Sequence, residues 1–211
     1  MKKANNKGPA PFSPLAKPLL IVLSGPSGAG KDAILTKIKE LGYLLEYITT
    51  VTTRPQRAKE KNDIDYHFVS MEKFQEMIEH HELLEWAEVY GNWYGVPKQP
   101  VKQALDNGQD AIVKVDVQGA ATIKKILPEA VFIFLVPPSM EELAIRLKQR
   151  YTESPPDLAL RVKTAEEEIK QLPLFDYVVV NKQDKIDLAV SDIKAIITAE
   201  KCRVAPREVT L

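Results

Sequence analysis

Residues 25–31 read Gly-Pro-Ser-Gly-Ala-Gly-Lys, a stretch that limits the surrounding fold more than any other part of the chain. It satisfies G-x-x-x-x-G-K and follows an apolar run, Leu19–Ser24, of the kind expected for a strand buried on both faces. After it, Ile34, Leu35 and Ile38 recur at helical spacing within Lys31–Leu41, with Gly42 as the stop. Strand, glycine-rich loop and helix in that order form a cradle for a polyphosphate. Backbone N–H groups close around the anion, and the helix N-terminus adds positive partial charge. The candidate phosphate-binding residues are Gly25, Pro26, Ser27, Gly28, Ala29, Gly30, Lys31 and Asp32, with Lys31 placed to reach the outer phosphates. The competing reading, a strand-to-helix turn without a ligand, does not account for the full spacing.

Similar strand signals recur at Ala111–Val115, Val131–Val136 and Tyr177–Val180. Helical stretches separate them at Val117–Leu127, Met140–Arg150, Leu158–Leu172 and Lys185–Lys201, and Ser139 with Glu142 forms a capping box. Alternation of this kind predicts an α/β fold, a parallel sheet covered by helices on both faces. Two segments break the rhythm. Residues 43–97 carry short strand signals at Tyr43–Thr49, Tyr66–Val69 and Leu83–Val89, with a turn at Gly91-Asn92, and read as an inserted α+β lobe. Residues 146–161 hold a Pro155-Pro156 loop between basic helices and read as a lid. Residues 1–17, rich in proline and lacking a signal peptide's apolar run, read as a flexible tail ahead of a single domain at 18–211.

Composition narrows the partners. Lysine plus arginine and aspartate plus glutamate are equal at 29 each, so any anion site is local and no nucleic-acid or acidic-membrane partner is implied. No apolar run reaches the ~20 residues of a membrane span. The single cysteine, Cys202, excludes an internal disulfide and is compatible with a reducing cytoplasm.

A phosphate loop serves switches and kinases alike. Asp116-Val-Gln-Gly119 matches D-x-x-G and Asn181-Lys-Gln-Asp184 matches N-K-x-D, the patterns of a GTPase switch. Such short patterns arise often by chance, and Asp184 is well placed to cap the last helix. The switch reading also leaves the arginines without a task. Thr52-Thr-Arg54-Pro-Gln-Arg57 puts two arginines in one loop, while Arg146, Arg150 and Arg161 flank the lid. Two anionic substrates and a transferring phosphoryl group require such permanently charged, bidentate donors.

Taken together, GPSGAGK at 25–31, TTRPQR at 52–57, Asp65-Tyr66, Phe68-Val69, Glu85-Trp86-Ala87, Gly91-Asn-Trp-Tyr94-Gly95, Val115-Asp116-Val-Gln-Gly119 and Pro137-Pro-Ser139 resemble the guanylate kinase family. The resemblance implies the P-loop NTPase fold with a GMP-binding lobe and a lid, and ATP-dependent phosphorylation of GMP and dGMP in the cytoplasm with Mg²⁺. It implies that Arg54, Arg57, Tyr66 and Tyr94 hold the GMP phosphate, and that Thr50, Glu85 and Asp116 recognise guanine. Arg146, Arg150 and Arg161, with Lys31, would serve the transferred phosphoryl group. A carboxylate at Glu85 suits guanine independently, because N1–H and the 2-amino group form a donor pair that adenine lacks. Non-catalytic relatives that bind phosphopeptides tend to lack a working phosphate loop, whereas Gly25, Gly30 and Lys31 are retained here. A relative that phosphorylates ribose bisphosphate fits less well with Glu85 and the paired tyrosines.

Four positions depart from the family pattern. Val96 lacks a common hydroxyl, and Tyr151 replaces a glycine beside the lid. Asp32 stands where a Ser or Thr would ligate magnesium, and Lys114 stands where many relatives are acidic. Opposite in sign and close in a fold of this kind, Asp32 and Lys114 are expected to pair, with Asp32 as the candidate metal ligand.

Overall fold

The chain runs β1 (Leu20–Ser24), α1 (Lys31–Glu40), β2 (Leu45–Ile48), β3 (Val51–Thr52), β4 (His67–Phe68) and α2 (Met71–Glu79). Then come β5 (Leu83–Val89), β6 (Asn92–Pro97), α3 (Lys98–Asp106), β7 (Asp110–Lys114), α4 (Val117–Ile126) and β8 (Val131–Val136). The last elements are α5 (Met140–Arg150), α6 (Pro155–Ile169), a 3₁₀ turn (Leu172–Leu174), β9 (Tyr177–Val180) and α7 (Ile186–Lys201). The structure, a computed structural model, describes residues 16–58, 60–89, 91–150 and 155–211, leaving aside the side chains of 150 and 155–157.

Five strands form a sheet in the order β2-β7-β1-β8-β9, every neighbouring pair parallel. β1 lies at its centre, and all five of its residues are fully buried. Its side chains alternate between two cores. Leu20 and Val22 join Val113, Phe132 and residues of α3 and α4, whereas Ile21 and Leu23 join Ile112, Ile133, Leu135 and residues of α1 and α7. A continuous apolar strand is what helices on both faces of a parallel sheet demand. The expected α/β class is the one observed. No helix of the described residues is long and apolar enough to cross a membrane.

A second, four-stranded sheet in the order β4-β3-β6-β5 makes the inserted lobe. Its two tryptophans, Trp86 on β5 and Trp93 on β6, stack with ring centroids 4.9 Å apart. The expected start of the lobe at Tyr43 shifts, because β2 pairs with β7 in the main sheet. The short β3 and the longer β6 were not anticipated, and the Tyr66–Val69 strand narrows to His67–Phe68. Gly91 turns the β5–β6 hairpin in the left-handed region, φ 72°. The Pro155-Pro156 pair opens α6 rather than lying in a loop, since a helix's first turn needs no N–H from its first residues. Of the capping box at Ser139, one half forms: Ser139 Oγ accepts from the Glu142 N–H, while the Glu142 carboxylate turns to Arg146. Residues 1–15 of the tail expected at 1–17, and the unusual Tyr151, lie outside the described residues.

The chain end is pinned to the sheet by a buried carboxylate. Glu200 is 2 % exposed and accepts from Tyr177 Oη at 2.5 Å and from Arg207 Nε at 2.9 Å and Nη2 at 3.1 Å. Arg207 also donates to the Ala130 carbonyl at 3.1 Å. Arg203 Nε stays 3.6 Å from Glu200, but removing Arg207 strips the buried carboxylate of the two donors that hydrogen-bond it from that side chain. Arg207→Ala should therefore lower unfolding free energy by about 3 kcal/mol without altering the cleft, as measured by urea denaturation and by unchanged turnover.

Candidate active site

The phosphate loop leaves the carboxyl end of β1, the position where ligands settle against an open parallel sheet. Gly30 adopts φ 97° at the N-terminus of α1, and a Cβ there would collide with the Asn181 amide. That amide donates through Nδ2 to the Ala29 carbonyl at 2.8 Å, while the Asn181 N–H bonds Val136 at 2.8 Å. Asn181 thus ties the loop to the end of β8, and its carbonyl accepts from Arg146 Nη2 at 2.9 Å. Lys31 Nζ folds back on the loop, donating to the carbonyls of Gly25 at 2.5 Å and Pro26 at 3.2 Å. Burial lowers the Lys31 pKa, opposed by the nearby carboxylates of Glu168, Asp32 and Asp116.

These contacts give the switch-like patterns other work. Asn181 buttresses the loop. Asp184 sits in the left-handed region at φ 55° and does not cap α7, whose N-cap is Lys185 with no side-chain bond. Asp116 caps α4, its Oδ1 accepting from the Gly119 N–H at 2.8 Å. Gly119 leaves room for Glu85: a Cβ there would lie 2.8 Å from Glu85 Oε2.

The lobe supplies a second cationic cradle. Arg54 grips Glu60 with Nη2 at 2.9 and 3.0 Å from its two oxygens and lies over the rings of Tyr66 and Phe68. Glu60 also accepts from the Arg57 N–H at 2.9 Å. Burial opposes ionisation of Glu60, but these bonds from Arg57 and Arg54 prevail and hold its pKa below the usual carboxylate range. Tyr66 and Tyr94 meet edge to face at 6.0 Å. Beneath them, Lys114 Nζ lies 2.5 Å from Asp32 Oδ1 and 4.2 Å from the centre of the Tyr66 ring. The expected pair is formed, and it joins the lobe to the phosphate loop.

At the far end Glu85, on β5, is 5 % exposed. Its Oε2 is buried with no hydrogen-bond partner. Desolvation, reinforced by the Asp116 charge, pushes its pKa up to about 8. Burial also raises Asp116, against the pull of the Gly119 N–H and Lys31. A buried acceptor left open is costly unless a ligand's donors complete it.

A single cleft of about 210 Å³ joins these parts. It brings together Gly25, Ser27, Gly28, Gly30, Lys31 and Asp32 with Thr50, Arg54, Arg57, Tyr66, Glu85, Tyr94, Asp116 and Arg161. Pro26 and Ala29 shape the loop from behind it. Arg146 does not line the cleft; it bonds Asn181 and, at 3.0 Å, Glu142. Arg150 ends α5, with its side chain outside the described residues. Val96, in place of a hydroxyl residue, is fully buried in the core. Two acidic residues of the site were not foreseen. Glu60 follows Arg57 by three residues in the arginine loop, a spacing that could have flagged it. Glu168, on α6, also lines the cleft; burial raises its pKa, opposed by Lys31 and the Ser27 backbone.

A phosphate loop that shares one cleft with a second, arginine-lined anion cradle and a base-sized acidic end defines a phosphate-loop nucleotide kinase. The sequence profile of guanylate kinase matches residues 17–200. Guanylate kinase of Desulfitobacterium hafniense is 48 % identical over 88 % of this chain and 92 % of its own length. The chloroplastic/mitochondrial guanylate kinase 2 of rice, Oryza sativa, is 45 % identical over 95 % of this chain and 71 % of its own. The crystal structure of guanylate kinase from Anaplasma phagocytophilum superposes with a TM-score of 0.73 at 33 % identity, over 90 % of this chain and 89 % of that one. The chain belongs to the guanylate kinase family.

Glu85 carries a pH signature. Between its ordinary pKa of 4.5 and its folded value of about 8, the folded protein holds a proton that the unfolded chain has lost. Stability therefore falls as pH rises across that window, with a slope of up to about 1.4 kcal/mol per pH unit. Glu85→Gln should remove this slope, as read by urea denaturation of the ligand-free protein at pH 5 to 8.

Proposed function

We propose that Arg54, Arg57, Tyr66 and Tyr94 bind the phosphate of GMP, that Glu85, Asp116 and Thr50 select its base, and that the phosphate loop binds ATP. On this division the enzyme performs the ATP-dependent phosphorylation of GMP, with dGMP as a second acceptor. The observation that carries the assignment is the open Oε2 of buried Glu85. Guanine brings two adjacent donors to a carboxylate, and their bonds favour its ionised form. AMP and UMP offer no such adjacent pair of donors. Glu60 holds the two arginines in place before the acceptor arrives, which reduces the ordering needed on binding.

Lys31 and Arg161 both line the cleft, and both suit charge spreading over the phosphoryl group as it passes between oxygens. Lys31 releases the carbonyls of Gly25 and Pro26 to reach the phosphates. Arg146 acts from behind the loop through Asn181, and Arg150 is assigned to the same transfer. The chain's chemistry fits Mg²⁺. Asp32 follows the loop lysine directly and presents a half-exposed carboxylate, and among the described residues no cluster of acidic or histidine ligands could hold a metal alone. Such a site suits an ion held by one carboxylate, substrate phosphates and water. When bound, Mg²⁺ would neutralise phosphate charge; Asp32 would hold it, with Lys114 balancing Asp32 in its absence. We assign the enzyme to the cytoplasm, and a reaction between free nucleotides requires neither nucleic acid nor membrane.

A coupled ADP-release assay with ATP and magnesium tests this reading. GMP should support turnover, dGMP a slower one, and AMP and UMP should be poorer acceptors by a factor on the order of 10⁴ in kcat/KM. AMP turnover equal to that with GMP would refute the base assignment. Asp32→Ser and Lys114→Asp should each reduce turnover, and the double variant should recover much of the loss, with a coupling of about 0.5–3 kcal/mol. Simple additivity would break the assigned link between the two residues.

A further inference from the structure

Glu168 is a half-buried acid to which the phosphoryl-transfer roles above give no task. It lines the same cleft as Ser27 and Lys31, and its charge and that of Lys31 favour each other's ionised form. Ser27 and Lys31 are two of the groups that a phosphate loop turns toward a nucleotide's phosphates. Its Oε2 is buried without a partner, so the carboxylate is only partly satisfied where it sits. Glu168 and Arg161 lie seven residues apart on α6, two helical turns, and both line the cleft. The helix itself bears on the loop: Ala165 packs with Leu143 and Leu147 of α5, and a Cβ on Gly28 would meet those two leucines at 3.0 and 3.2 Å.

We propose that Glu168 sets the affinity of the donor site, its carboxylate holding part of the phosphate loop's anion-binding surface that the nucleotide's phosphates must win from it. The inference rests on the reading of the phosphate loop as the ATP site. A fixed negative charge beside Lys31 opposes a polyphosphate, and in a cleft shielded from water the opposition is stronger than at a surface. The opposition acts on ATP entering and on ADP leaving. Because Arg161 shares the helix face, displacement of Glu168 from the loop also resets the arginine that meets the transferring group. A donor site built in this way trades tight binding for rapid release of product, which often limits kinases.

Glu168→Gln separates charge from shape, since the amide keeps the size of the carboxylate and removes its charge. Titration calorimetry with ADP, and with ATP plus magnesium chloride, both without GMP, should show Kd lower by about tenfold in the variant, about 1.4 kcal/mol. KM for ATP and kcat should fall together as ADP release slows, while the Kd for GMP stays unchanged. If the Gln variant does not melt cooperatively, Glu168→Ala, favourable in a helix, supplies the same test of charge. An ADP affinity unchanged or weakened in the folded variant overturns the inference. Wild-type protein from the same preparation is assayed for GMP phosphorylation: failure there refutes the proposed function, whereas an unchanged ADP affinity alongside normal wild-type turnover refutes only the role of Glu168.

Discussion

The active cleft depends on a strand with no exposed side. Because β1 is buried on both faces, it can lie only at the centre of a covered parallel sheet, and its carboxyl end must open where its neighbours β7 and β8 also end. The phosphate loop leaves from that end, Asp116 follows β7, and Asn181 follows β9 and reaches back to the loop. Three parts of the site, far apart in the chain, are thereby set by one packing requirement. The lobe then needs only to be inserted between β2 and β7 to bring its arginines across from the loop.

Charge in the cleft is arranged in opposed pairs. Arg54 holds Glu60, Lys114 holds Asp32, and Lys31 shares the cleft with Glu168, whose charge favours its own. A chain with no net charge can thus keep several cations in one partly buried space without the repulsion they would otherwise suffer. Each carboxylate keeps a cation oriented, and each is a group with which an anionic substrate has to reckon. Glu85 differs from the three, since burial, reinforced by the Asp116 charge, governs its proton.

Much of this was legible in the sequence because the relevant signals are local. The phosphate loop, the apolar β1 and the arginine pair at 54 and 57 each announce themselves within a few residues. Asp32 and Lys114 were readable as a pair although distant, because both stand at positions whose usual character is opposite. What escaped depends on long-range pairing. Tyr43–Thr49 carries an ordinary strand pattern that says nothing of which sheet it joins, and only its register with β7 decides. Glu168 ends the run Glu166-Glu167-Glu168, in which composition cannot tell the cleft-facing acid from its solvated neighbours; the packing of α6 decides that. Asp184 shows the opposite error, a residue of good capping type whose left-handed backbone takes its side chain out of the cap.

The stacked tryptophans of the lobe have a practical meaning. The chain has two tryptophans in all, and both lie on the β5–β6 hairpin that also carries Glu85 and Tyr94. The backbone N–H of Trp93 donates to Thr53 Oγ1 at 3.0 Å, beside Arg54. Indole emission is therefore an optical channel confined to the acceptor side of the cleft, with the phosphate loop and the helices above it spectroscopically silent. Occupancy of one substrate site can be followed in the unmodified protein while the other is filled or empty, a separation of signals that most two-substrate enzymes obtain only by labelling.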